Sequence, residues 1–158
     1  MFQINPVISS PPGEFKFVNN DCTHLRTILL VDDEHGTRIL TKWFLNNFGF
    51  TVDSVRTAEE ALARFDARVH DLVITNNTTS GLSGAELAHI IKMRSPATPV
   101  IMFSNHPPTD NSCFDLVLQR PVHLMLLKEG IDQILARPSL DTQTSKTSGS
   151  ERLAAVRR

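Results

Sequence analysis

Two adjacent aspartates, an asparagine, a serine and an arginine sit at or just past the ends of four separate apolar runs in this 158-residue chain. Asp32 and Asp33 follow Ile28-Leu29-Leu30-Val31, and Asn76 follows Leu72-Val73-Ile74-Thr75. Ser104 closes Val100-Ile101-Met102-Phe103, and Arg120 comes shortly after Leu116-Val117-Leu118. Paired carboxylates suit cation binding or proton transfer, and a carboxylate at 76 would complete a nucleophilic or metal-binding centre. Asn76 has almost the shape of aspartate, but its amide carries no charge and little nucleophilicity. A lone Asp or Ser at such a place most often just ends a strand. Two adjacent Asp residues cost mutual repulsion, and together with three further strand-end polar groups they favour a site.

The elements that must position these residues are readable from periodicity. Thr27–Val31 is continuously apolar, as a strand covered on both faces should be. A helix is predicted over about 34–48, with Ile39, Leu40, Trp43, Phe44 and Phe48 as its core stripe and Gly49 as its stop. Residues 50–55 alternate as strand two. Thr57 with Glu60 three residues on reads as a capping box, opening a helix to about Arg68 that packs through Ala58, Ala61, Leu62 and Phe65. Strand three is 71–75. Ser83-Gly84 opens a helix over 85–94 with Leu87, Ile90 and Ile91 inward. Strand four is Val100–Ser104. The stretch 105–113, with Pro107, Pro108, Asp110 and Asn111, has no apolar period and reads as a loop. Strand five is 115–118, and a last helix spans roughly 122–136.

Alternating strands and helices at this spacing imply a doubly wound parallel sheet, whose site forms beyond the carboxyl ends of the strands. Asp32, Asp33, Asn76, Ser104 and Arg120 all belong there.

Composition narrows the function. An apolar share of 41% and a charged share of 21% are those of a globular domain. A formal net charge of −1 gives no bulk attraction to nucleic acid or anionic membrane. Cys22 and Cys113 form no ligand-spaced cluster, which fits reduced thiols. The first residues show neither a basic n-region nor a long apolar stretch, so a soluble, cytoplasmic protein is expected. Residues 1–24 read as a flexible leader, 25–137 as the domain, and 138–158 as a Ser/Thr-rich tail with a basic end.

With these pieces in order, residues 28–135 resemble the receiver domain of two-component response regulators, a flavodoxin-like fold. The resemblance rests on Leu29-Leu30-Val31-Asp32-Asp33-Glu34, Asp71-Leu72-Val73-Ile74-Thr75, Gly81-Leu82-Ser83-Gly84, Pro99-Val100-Ile101-Met102-Phe103-Ser104 and Arg120-Pro121-Val122. It implies that Asp32 and Asp33, with the backbone carbonyl of Thr78, hold Mg²⁺. It also implies that position 76 accepts a phosphoryl group from a histidine kinase, that Ser104 senses it and that residue 120 pairs with it. Here the chain departs from the family: Asn76 replaces the acceptor Asp, Arg120 replaces Lys, and Val117 replaces the aromatic switch. Asn105 stands where a small residue is usual, and Thr79 and Ser80 replace Met and Pro.

An acyl phosphate needs an anionic oxygen in line with phosphorus, which a neutral amide does not offer. Losing one of three carboxylates weakens Mg²⁺ binding without necessarily abolishing it. Arg120 prefers a carboxylate partner, which Asp32 or Asp33 would supply, closing the site by an ion pair. The sixteen-residue interval from Ser104 to Arg120 is shorter than the family's, so the fourth helix should be shortened or absent. The expected function is a non-enzymatic pseudo-receiver that needs no cofactor. It would bind a protein partner, either a histidine kinase or another regulator. The alternative is a receiver retaining weak Mg²⁺-dependent phosphoryl switching.

Other chemistries fit less well. Six scattered histidines lack zinc spacing. Ser104, His106 and Asp110 share one short loop without an oxyanion nest. No phosphate-binding loop follows strand one for a flavin, and Trp43 reads as core packing.

Overall fold

A computed structural model describes residues 25–77 and 81–137. The expected leader and tail, and Thr78, Thr79 and Ser80, lie outside the described residues. The elements run β1 (Thr27–Val31), α1 (His35–Asn47), β2 (Thr51–Val55), α2 (Ala58–Arg64), β3 (Leu72–Thr75), α3 (Gly84–Arg94), β4 (Val100–Ser104), β5 (Leu116–Gln119) and α4 (Leu124–Leu135). All strand pairs are parallel, in the order β2-β1-β3-β4-β5. Central strands β1, β3 and β4 are buried along almost their whole length, which is why they read as unbroken apolar runs.

Strand alternation splits the core into two layers. Ile28, Leu30, Ile74, Ile101 and Phe103 meet Leu45 of α1 and Leu127, Ile131 and Ile134 of α4. Leu29, Val31, Val73 and Val100 meet Ala58 and Ala61 of α2 and Leu87, Ala88 and Ile91 of α3. The sheet is therefore covered by two helices on each face. Between β4 and β5 the described residues contain no helix, as the short interval predicts.

The orientation of α1 corrects the sequence reading. Its buried residues are Arg38, Thr41 and Leu45. Ile39, Leu40 and Trp43 are 53%, 54% and 63% exposed, and Phe48 is exposed as well. Only Phe44 of the expected stripe packs against the core. Trp43 is consequently not a packing residue. The inward face of α1 combines Leu45 and Phe44 with a buried threonine, Thr41, and with Arg38, which donates to the Asp32 carbonyl just past β1. Gly49 does end the helix, at φ +87°, a conformation that favours glycine.

Helix α2 stops at Arg64 rather than near Arg68. The backbone N–H of Arg68 donates to the Asp66 carboxylate, and the N–H groups of Val69 and His70 donate to the Asp66 carbonyl. This local turn competes successfully with the next helical turn. Thr57 caps α2 by accepting from the Glu60 N–H at 3.2 Å, but the Glu60 carboxylate accepts from Arg56 N–H, one residue before the cap. A complete capping box occurs instead at Ser83 and Glu86, where α3 begins.

Candidate functional site

The carboxyl ends of β1, β3, β4 and the segment after β5 converge as the parallel register requires. Val31 is level with Thr75, and Ser104 is level with Gln119, so Asp32, Asn76 and Arg120 project from one edge. Asp32, Asn76 and Ser104 are buried, whereas Asp33 is exposed.

Arg120 decides the electrostatics. Its Nη2 donates to Asp32 Oδ2 at 2.8 Å and to the Phe103 carbonyl at 2.6 Å, and its Nε donates to the same carbonyl at 3.2 Å. Its guanidinium lies 4.6 Å from the centre of the Phe103 ring, a cation–π distance. Glu34 stands 3.9 Å from Nη1. The side chains of Arg120 and Asp32 are only 10% and 2% exposed, so this ion pair is largely shielded from water. Asp32 therefore supplies the carboxylate partner, through one nitrogen rather than a two-point fork.

The other Asp32 oxygen accepts the Glu34 N–H at 3.0 Å. Burial pushes the Asp32 carboxyl above its ordinary range, and the nearby Arg120 charge holds that rise back.

Asn76 is held from several sides. Its backbone N–H donates to the Val31 carbonyl at 3.0 Å, and its Nδ2 donates to Asp33 Oδ1 at 3.1 Å. The Thr75 hydroxyl donates to its carbonyl at 3.0 Å. An aspartate at 76 would have no proton to give Asp33, and the two carboxylates would repel, so the Asn76–Asp33 contact belongs to the amide. Ser104 Oγ accepts the His106 N–H at 3.2 Å. Val117 is half-buried in β5, opposite Met102.

Two participants escaped the sequence reading. Arg38 is buried, donates from Nη1 to the Asp32 carbonyl at 2.6 Å, and brings Nη2 to 3.1 Å from His35 Nδ1. The signal available was an arginine one helical turn past the acidic run Asp32-Asp33-Glu34. Gly84 packs so closely that a Cβ there would lie 2.2 Å from the Asn76 carbonyl oxygen. The glycine at the first position of α3 was the available signal, and the close approach holds α3 against the loop that carries Asn76.

The fit of a divalent cation can be judged from these donors. Both Asp32 oxygens are engaged, one of them by a guanidinium, and Asp33 receives the Asn76 amide. Position 76 offers a neutral oxygen at best. The arrangement suits the internal cation Arg120; Mg²⁺ would have to displace it from Asp32. Among the described residues no cluster of three or more His, Cys, Asp or Glu side chains forms a metal site.

Comparison with known proteins places this geometry. Residues 28–141 match the family model of the response regulator receiver domain. The nitrogen assimilation regulatory protein NtrX of Azorhizobium caulinodans is 38% identical over 81 residues, covering 50% of this chain and 18% of the relative. The phosphate regulon transcriptional regulatory protein PhoB of Rhizobium meliloti is 35% identical over 83 residues, covering 51% of this chain and 36% of the relative. The chain thus spans well under half the length of either relative. Among solved structures, the response regulator TrrA of Thermotoga maritima, in complex with Mg²⁺-BeF, superposes with a TM-score of 0.65 at 28% identity, covering 69% of this chain and 98% of that one.

Proposed function

We propose, from the premise that this chain belongs to the response regulator receiver domain family, that it signals without phosphorylation, as a non-enzymatic module that binds a protein partner in the cytoplasm. The partner class is a histidine kinase or another regulator of a phosphorelay, which this protein would occupy without accepting a phosphoryl group. The observation that carries the reading is Asn76 in the acceptor place, its amide donating to Asp33 while Arg120 neutralises Asp32. The chemistry of an acyl phosphate needs the carboxylate that Asn76 lacks. Metal coordination at Asp32, Asp33 and Thr78 would be weak, and the roles of Ser104, Val117 and Arg120 would be structural rather than those of a phosphoryl switch.

Binding through a surface is supported by α1. Ile39, Leu40 and Trp43 expose an apolar stripe on the side of the helix opposite Arg38, Thr41 and Leu45. An apolar helical stripe left facing outward is a candidate contact surface. A second reading, a receiver with residual Mg²⁺-dependent switching, draws on Asp32, Asp33 and Ser104, which keep their places. One experiment separates the two. Incubation with acetyl phosphate and Mg²⁺, followed by intact mass measurement, is expected to leave the mass unchanged. A Mg²⁺-dependent gain of one phosphoryl group that persists in the Ser104→Ala variant would overturn the phosphorylation-independent reading.

A further inference from the structure

The missing helix between β4 and β5 leaves an open trough along α3. Its volume is about 490 Å³, within the range of sites that bury small ligands or whole apolar side chains. Leu82, Ala85, Ile90, Pro108, Cys113 and Phe114 form its half-buried floor. Glu86, His89 and Asp110 stand exposed at its edge, and among the described residues no lysine or arginine lines it. Backbone N–H groups of Ser83 and Ser112 hold the Glu86 and Asp110 carboxyls below their ordinary range, so the rim is anionic at neutral pH.

A fitting occupant must be apolar in its middle and basic at its flanks. The chain contains such a run. Residues 151–158 read Glu151-Arg152-Leu153-Ala154-Ala155-Val156-Arg157-Arg158, and Leu153 to Val156 is the longest apolar run after Arg137. Residues 1–24 are a poorer match, since Glu14 and Asp21 outweigh Lys16. Reach is sufficient. Fifteen residues lie between Arg137 and Leu153, a contour of at most about 58 Å, whereas a domain of this size has a radius of gyration of only about 13 Å.

We propose that the trough between α3 and residues 108–114 is the docking site of the chain's own residues 151–158. Leu153 and Val156 would fill the floor while Arg152, Arg157 and Arg158 face Glu86 and Asp110. The segment would take over, in part, the cover that a fourth helix gives elsewhere in the family. This inference does not depend on the phosphorylation-independent reading, and its test leaves the Asn76 site untouched.

Cys113 reports on the trough because it lies in the floor, with Sγ 3.8 Å from His89 Nδ1. In a Cys22→Ser background it is the sole cysteine, and its alkylation by N-ethylmaleimide can be timed in the full chain. A tether of this length gives an effective concentration of order millimolar, so docking of even about millimolar intrinsic affinity should slow labelling at least about twofold. Both the Leu153→Asp/Val156→Asp chain and the Arg157→Glu/Arg158→Glu chain are expected to lose that protection. A synthetic peptide of residues 151–158 should restore it to the first variant, and high salt should weaken it in the parent. Equal labelling rates in all three chains would overturn the proposal. Protection that persists in both variants would also overturn it: one that grows with protein concentration would assign the trough to a second copy, and one that does not would assign it to the 108–114 segment itself.

Discussion

The pocket at the strand ends and the trough beside α3 are opposites in how the chain covers them. In the pocket, charges supplied by the protein itself satisfy one another: Arg120 meets Asp32, Arg38 meets the Asp32 carbonyl, and Asn76 meets Asp33. In the trough, apolar side chains of α3 and the 108–114 segment remain half-exposed beneath an acidic rim. On the proposed reading the contrast marks where interaction capacity resides: a pocket neutralised from within would have little left to offer a phosphoryl group or a cation, while the apolar surface exposed on α1 and beside α3 would be what a polypeptide binds.

The largest effect should come from opening the pocket. Arg120→Met leaves the Asp32 carboxylate buried without its cation, and the expected loss of stability near neutral pH is about 3 kcal/mol, read from urea denaturation. The loss has a sign in pH. The folded-state pKa of Asp32 already lies above its ordinary value, and without Arg120 it should rise further. A group with a raised folded pKa contributes stability below its unfolded pKa and loses it as pH rises through the folded one. The variant should therefore lie closer to the parent near pH 4 than near pH 7. Adding Asp32→Asn should recover most of the deficit; a deficit independent of both pH and the second substitution would mean that Arg120 acts through packing on Phe103.

A smaller change would make the pocket resemble an ordinary receiver site. Asn76→Asp restores the third carboxylate and should raise Mg²⁺ affinity on the order of tenfold by calorimetry, as an added unit charge close to the ion warrants. It should also lower metal-free stability, because three carboxylates then crowd the adjacent ends of β1 and β3. Unchanged Mg²⁺ affinity would identify the Arg120–Asp32 pair, rather than the amide, as the principal block.

The smallest structural effect is expected at the exposed surface. Trp43→Asp should alter stability by no more than about 0.5 kcal/mol, since the residue packs against little. It should nonetheless abolish capture of a protein partner from the native cell if α1 is the docking surface. Trp43 is the sole tryptophan, so its fluorescence should shift to the blue when a partner covers it. Retained capture by the variant would move the partner surface away from α1.

Much of the fold was legible because parallel strands buried on both faces have no option but to be apolar. Thr27–Val31, Leu72–Thr75 and Val100–Ser104 announce themselves, and the register of such a sheet then carries Asp32, Asn76 and Ser104 to one edge. The facing of α1 was not legible. Helical periodicity favours the more apolar stripe, yet Arg38 turns inward because a carbonyl at the end of β1 accepts from it, and Ile39, Leu40 and Trp43 are left outside. The end of α2 was missed because an Asp66 turn offers the backbone a competing set of hydrogen bonds. Ser83 with Glu86 was in plain view as a capping box, but it became one only when both reciprocal bonds formed.

The sequence by itself determined the alternation of strands and helices, the convergence of Asp32, Asp33, Asn76, Ser104 and Arg120 at one end, and the amide rather than a carboxylate at 76. Local periodicity and residue chemistry suffice for those. Only the tertiary structure decided that Arg120 takes Asp32 rather than Asp33, across 88 residues of chain, that α1 presents its tryptophan outward, and that a missing helix leaves an acidic-rimmed trough. Those outcomes depend on which buried group finds a partner within hydrogen-bonding distance, and folding settles that competition between segments remote in sequence.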